Sequence, residues 1–86
     1  MNVYILQRTY NNGVSVVDNV FSSKKKAEDS LNHDISWCDR DGWTVDRSES
    51  IYPYTREGKI QGVRITPPSG NVEQSERFFI IKKRVK

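Results

Sequence analysis

Near the end of the chain four large apolar residues stand in a row, Phe78-Phe79-Ile80-Ile81. Successive side chains of a strand point to opposite faces, so a strand with one wet face alternates apolar with polar. An unbroken run needs cover on both faces, which places the segment 77–85 as a strand in the interior of a sheet. The rest of an 86-residue chain must then supply that sheet and its cover. Such a length makes one domain, residues 1–86, and hides only about 60% of the surface exposed when unfolded. With 35% hydrophobic residues and a mean hydropathy of −0.75, the core is thin. Nine aromatic residues compensate, since each buries a large area.

The other elements follow from periodicity. Residues 3–10 alternate, with Val3, Ile5 and Thr9 on one face and Tyr4, Leu6 and Tyr10 on the other. Asn11-Asn12-Gly13 tolerates the positive φ of a tight hairpin, and residues 14–21 resume as a second strand with Val14, Val16 and Val20 on one side. Ser22 or Ser23 can cap a helix, though neither has a Glu three places on. Ala27, Leu31, Ile35 and Cys38 then recur at helical spacing, predicting a helix from Lys24 to near Cys38 that Gly42 closes. Residues 43–52 read as a third strand, with Trp43, Val45 and Ile51 sharing a parity and Pro53 at its end. Residues 56–59 are turn-like, 60–66 a fourth strand, and Pro67-Pro68-Ser69-Gly70-Asn71 a loop. The expected fold is α+β, in the order β-β-α-β-β-β, a mostly antiparallel sheet with one helix packed on a face.

No apolar run reaches the roughly 20 residues that span a bilayer, and the first residues lack the features of a secretory signal. The one cysteine, Cys38, cannot close an internal disulfide, which points to a reducing compartment such as the cytosol.

The net charge of +3 is unevenly spread. Residues 1–43 carry five basic and six acidic side chains, whereas residues 44–86 carry nine basic and five acidic. Five carboxylates fall within residues 28–41: Glu28, Asp29, Asp34, Asp39 and Asp41. Lys82, Lys83, Arg84 and Lys86 gather at the other end of the chain, with Arg77 nearby. An electrically two-sided molecule is the main clue to partners.

Chemistry at an active centre needs a base, a nucleophile or a metal in a fixed geometry. His33 and Cys38 are five apart on the helix and point away from each other, and His33, Cys38, Asp39 and Asp41 fit no common zinc spacing. The glycines form no phosphate-binding loop. Small ribosome-dependent endoribonuclease toxins share this size and basicity, but usually open with two helices where this chain opens with a hairpin. The expectation is a protein that is not an enzyme and uses no cofactor or metal.

Val3-Tyr4-Ile5-Leu6, the stretch Val20-Phe21-Ser22-Ser23-Lys24-Lys25-Lys26-Ala27-Glu28, and Gly42-Trp43-Thr44-Val45 together resemble a group of short bacterial and phage proteins. Those proteins begin with a "VYIL" strand, pass through "GVFSS-K-x-x-AE" into a helix, and continue with a "G-[FW]-x-[IV]" strand. The likeness covers about the first 50 residues and ends after Tyr52. It implies this hairpin-helix fold and a phage or bacterial setting, with no catalytic residue carried over.

Two binding functions are therefore expected. In the first, an antagonist or accessory factor binds a host or defence-system protein stoichiometrically, through Glu28, Asp29 and Asp34 with Trp37 and Trp43 as anchors. In the second, Lys24, Lys25, Lys26, Arg47, Arg64, Arg77, Lys82, Lys83, Arg84 and Lys86 meet RNA or DNA phosphates, joined by Arg56 and Lys59, with Tyr52, Tyr54 and Phe79 as stacking surfaces. Three lysines at a helix start oppose the helix dipole, which favours a role outside the fold. Pairing of edge strands between copies, giving a homo-oligomer, is a third arrangement.

Overall fold

The structure, a computed structural model, describes residues 1–47 and 58–85. Its elements are β1 (Asn2–Thr9), β2 (Ser15–Phe21), α1 (Lys24–Arg40), β3 (Thr44–Asp46), β4 (Lys59–Thr66) and β5 (Glu76–Arg84). The strands form one sheet in the order β2-β1-β5-β4-β3, every neighbouring pair antiparallel. The β-β-α-β-β-β reading holds, and the apolar run lies in the central strand.

Phe78 and Ile80 point to the helix-bearing face and pack with Leu6, Val63 and Ile65 against Ala27, Leu31 and Ile35 of α1. Phe79 points the other way and is still only 2% exposed. Gly62 pairs with it, and Lys59 Nζ lies 4.4 Å from its ring centroid. A ring so enclosed offers no stacking surface, so that part of the nucleic-acid expectation is corrected. At about 25 cal/mol per Å² of buried apolar area, the eight residues of this cluster dominate the stability of so small a body.

Both ends of α1 are closed by local chemistry. Ser23 Oγ accepts a hydrogen bond from the Lys26 N–H at 3.2 Å, and no acidic residue stands in the first turn. At the far end the Trp43 N–H reaches the Cys38 carbonyl at 2.9 Å and the Gly42 N–H reaches that of Asp39 at 3.1 Å. This is a Schellman closure, and Gly42 takes its left-handed residue at φ +88°. Trp43 therefore belongs to the helix closure and not to the following ladder. The helix runs to Arg40, two residues past the expected stop.

Further expectations change, and some fall outside the described residues. Among the described residues β3 spans Thr44–Asp46, and the Arg47 side chain donates to Asn32 Oδ1 on α1 at 3.0 Å. Ile51, Tyr52, Pro53, Tyr54 and Arg56, together with Lys86, lie outside the described residues. Val14, Val16 and Val20 do not share a face. Leu6 pairs with Asn19 while Gln7 pairs with Val17, so Asp18 is an extra residue in β2. This bulge reverses the alternation, leaving Val16 opposite Arg8 and Val20 opposite Ile5. The loop after β4 also contains a short 3-10 turn, Val72–Gln74, capped by Asn71.

The registers fix which residues share an end of the sheet. Tyr4 sits between Phe21 and Lys82, and Thr9 between Ser15 and Arg77. α1 starts just after Phe21, at the Tyr4 end, and finishes at the Thr9 end, where Thr44 pairs with Thr66. It crosses the sheet diagonally from the β2 edge to the β3 edge. Among the described residues no helix is long and apolar enough to cross a membrane.

Candidate functional site

The crossing of α1 leaves a groove of about 570 Å³ between its second half and strands β1 and β2. Ser30, Asp34, Trp37 and Asp41 recur along the helix at spacings of three and four, so one stripe beside the buried Ala27, Leu31 and Ile35 forms one wall. Arg8 and Phe78 make the floor, and Asp18 and Asn19, from the bulge, the opposite rim. Trp43 and Cys38 close the end, both packed partly against the core.

Arg8 is committed within the fold. Its Nε and Nη2 both donate to Glu76 Oε1, the first at 2.9 Å, and its guanidinium lies 5.0 Å from the Tyr10 ring and 5.2 Å from that of Phe78. Burial opposes its charge, but the hydrogen bond and charge of Glu76 outweigh that and hold its pKa above the usual value. Trp37 is 51% exposed and is held from two sides. Its Nε1 donates to His33 Nε2 at 3.1 Å, and Arg40 lies 4.9 Å from the ring centroid.

The carboxylates of Asp18, Asp34 and Asp41 make no ion pair among the described residues. Burial pushes the Asp34 carboxyl above its usual range, and the charge of Asp18 adds to this, while His33 and Arg8 pull it back. Burial likewise pushes the Cys38 thiol up, with Arg8 opposing, so it is a thiol at neutral pH and not an activated nucleophile. Among the described residues no group of three or more His, Cys, Asp or Glu is placed to hold a metal ion. What the groove can do is receive a positive charge: unpaired carboxylates supply the attraction and an exposed indole the apolar contact.

The structure thus brings together Asp34, Trp37 and Trp43 but not Glu28 or Asp29. Those two face away and pair along the helix, Lys24 with Glu28 at 3.6 Å and Lys25 with Asp29 at 3.3 Å. The basic set also splits. Lys24, Lys25, Lys26, Lys82, Lys83 and Arg84 stand at the Tyr4 end. Arg64 pairs with Asp46 at 3.1 Å and adjoins Arg77 at the opposite end of the helix-free face, and Arg47 is tied to Asn32 beside a second hollow of about 450 Å³. Arg8 and Asp18 were not anticipated. Arg8 falls on the same parity as Leu6, which marks a charge on a buried face, but its partner is 68 residues away. No protein-family model, curated protein or solved structure matches this chain.

Proposed function

We propose that the protein acts by stoichiometric binding and not by catalysis, offering the groove between α1 and β1–β2 to a cationic segment of another protein. The observation that carries this is that Asp18, Asp34 and Asp41 face one groove without an ion-pair partner among the described residues, while Arg8 and Arg40 are already engaged with Glu76 and Trp37. Carboxylates left uncompensated beside a partly buried surface cost the fold stability, and a cationic partner returns that energy as affinity and as choice of partner. Trp37, half exposed and held in place, is the natural anchor because a rigid aromatic loses little freedom on contact. The resemblance to short phage and bacterial proteins makes the fitting role an antagonist or accessory factor that meets a host or defence-system protein in the bacterial cytosol. No cofactor enters this reading.

The test is affinity purification from a bacterial host with nuclease present, followed by measured binding of the captured protein to variants. Asp34→Lys and Trp37→Ala should each weaken that binding at least tenfold, while Glu28→Lys and Asp29→Lys leave it within about twofold. Equal binding by all four folded variants would remove the groove from consideration.

A further inference from the structure

We infer that the Tyr4 end of the molecule is a second binding surface, which takes the phosphate backbone of a nucleic acid. This goes beyond the groove and rests on different residues. The cations come from two segments more than fifty residues apart in sequence. β2 ends at Phe21, which pairs with Tyr4, and α1 begins three residues later with Lys24, Lys25 and Lys26. Tyr4 pairs on its other side with Lys82, Val3 with Lys83, and Asn2 with Arg84. Lys82 shares the helix-bearing face with Tyr4, while Lys83 turns to the opposite face, so positive charge wraps around the end of the sheet.

The charge there is poorly compensated. Lys24 and Lys25 have exposed i, i+4 partners, which salt screens readily. Lys26, Lys82, Lys83 and Arg84 pair with no carboxylate among the described residues. Among the described residues, six cations against two paired carboxylates leave a surplus of four, to which the helix start adds about half a charge. Beyond those two exposed pairs, this charge does not help the fold. Lysines in the first helical turn oppose the dipole, and those at the strand end are exposed and bury nothing. A surplus spread across two faces suits a polymer with repeated charges better than one compact anion.

These cations are also not a loose tail. Lys82 and Lys83 lie within the ladder, and the Lys82 N–H donates to the Gly58 carbonyl at 2.8 Å. At Gly58, with φ +77°, a Cβ would stand 2.7 Å from the Lys82 carbonyl oxygen, so only glycine lets the two backbones approach there.

The experiment is fluorescence anisotropy of a labelled 20-nucleotide RNA and a 20-base-pair DNA with the full chain at 50 and 200 mM salt. Anionic phospholipid vesicles of matched charge are run alongside. Neutralising about four phosphates predicts roughly a 100-fold loss of affinity over that range. Replacing Lys24, Lys25 and Lys26 by Ala, and separately Lys82, Lys83 and Arg84, should each lower affinity about tenfold or more and flatten the salt slope, with circular dichroism unchanged. Trp37→Ala should leave both unchanged, which separates this surface from the groove. The inference is overturned by no binding at 50 mM salt, by loss confined to the C-terminal triple variant, or by binding to the vesicles alone.

Discussion

Hydrogen bonds close both ends of α1, and at both ends the net charge runs against its dipole. At its start Ser23 caps the first turn, and at its finish Gly42 and Trp43 complete a Schellman closure. Yet three lysines stand at the positive end of the helix dipole, and at the negative end Asp39 and Asp41 outnumber Arg40, the basic residue of the last turn. Hydrogen bonding at both ends serves the helix, whereas the net charge at each end opposes its dipole. The ends differ in what else they hold. The finish carries core-packed Trp43 and Cys38 beside the groove, while the start sets exposed cations next to the buried Ala27. Interior contacts and charge are therefore separable functions of one element, and substitutions can pull them apart.

The largest effect is expected at the floor of the groove. Phe78→Ala, at a residue 1% exposed, should destabilise by about 3–5 kcal/mol and release Arg8 from its ring contact, read by denaturant unfolding. Lys82→Ala at the other end should stay within about 0.5 kcal/mol. A cost above 1 kcal/mol at Lys82 would make the cations structural and break the comparison. Next comes Gly42→Ala, expected to cost about 1–2 kcal/mol because L residues are strained at φ +88°. A neutral result would mean that the closure does not hold the helix end.

A smaller effect, of opposite sign, sharpens the contrast. Lys26 occupies the third helical position, where a capping box uses Glu, so Lys26→Glu should raise stability by about 0.5–1 kcal/mol. The same change should weaken nucleic-acid binding, since it removes one cation and adds one carboxylate. Gain and loss in a single variant would show that the lysine is kept at the expense of the fold.

The smallest effect concerns Asp34. Its carboxyl pKa is raised in the native state, first by burial and then by Asp18, so ionisation is less favourable folded than unfolded. That penalty is present near neutral pH and disappears as pH falls through the raised native value to the ordinary one. Asp34→Asn should melt slightly higher than the parent at pH 7, with the difference shrinking toward pH 4. A cationic ligand of the groove should bind less tightly over the same fall in pH, because it prefers the ionised form.

Much of the fold was legible because the signals were local. The run 78–81, the Asn-Gly turn, the Ser23 cap, the helical stripe and Gly42 each act over a few residues, and each appears where its chemistry requires. The site was legible only in part. Asp34, Trp37 and Trp43 share a groove because helical spacing brings them round, but Glu28 and Asp29 fall on another face. The Arg8–Glu76 pair depends on the register between β1 and β5, which no local pattern announces. The same register joins Lys24, Lys25 and Lys26 to Lys82, Lys83 and Arg84, and buries Phe79 among its neighbours.

One inserted residue governs more of this surface than its size implies. With Asp18 in place, the outer strand changes phase halfway along, so its valines divide between the two sides and no continuous greasy ribbon faces outward. Deleting that single aspartate would restore a strict two-residue beat and take a carboxylate from the groove rim, while Val16 stays opposite Arg8 and Val20 opposite Ile5. The edge strand would then lose the local twist by which a bulge turns an exposed ladder away from a second copy, and sedimentation of the deletion variant would record the change as self-association.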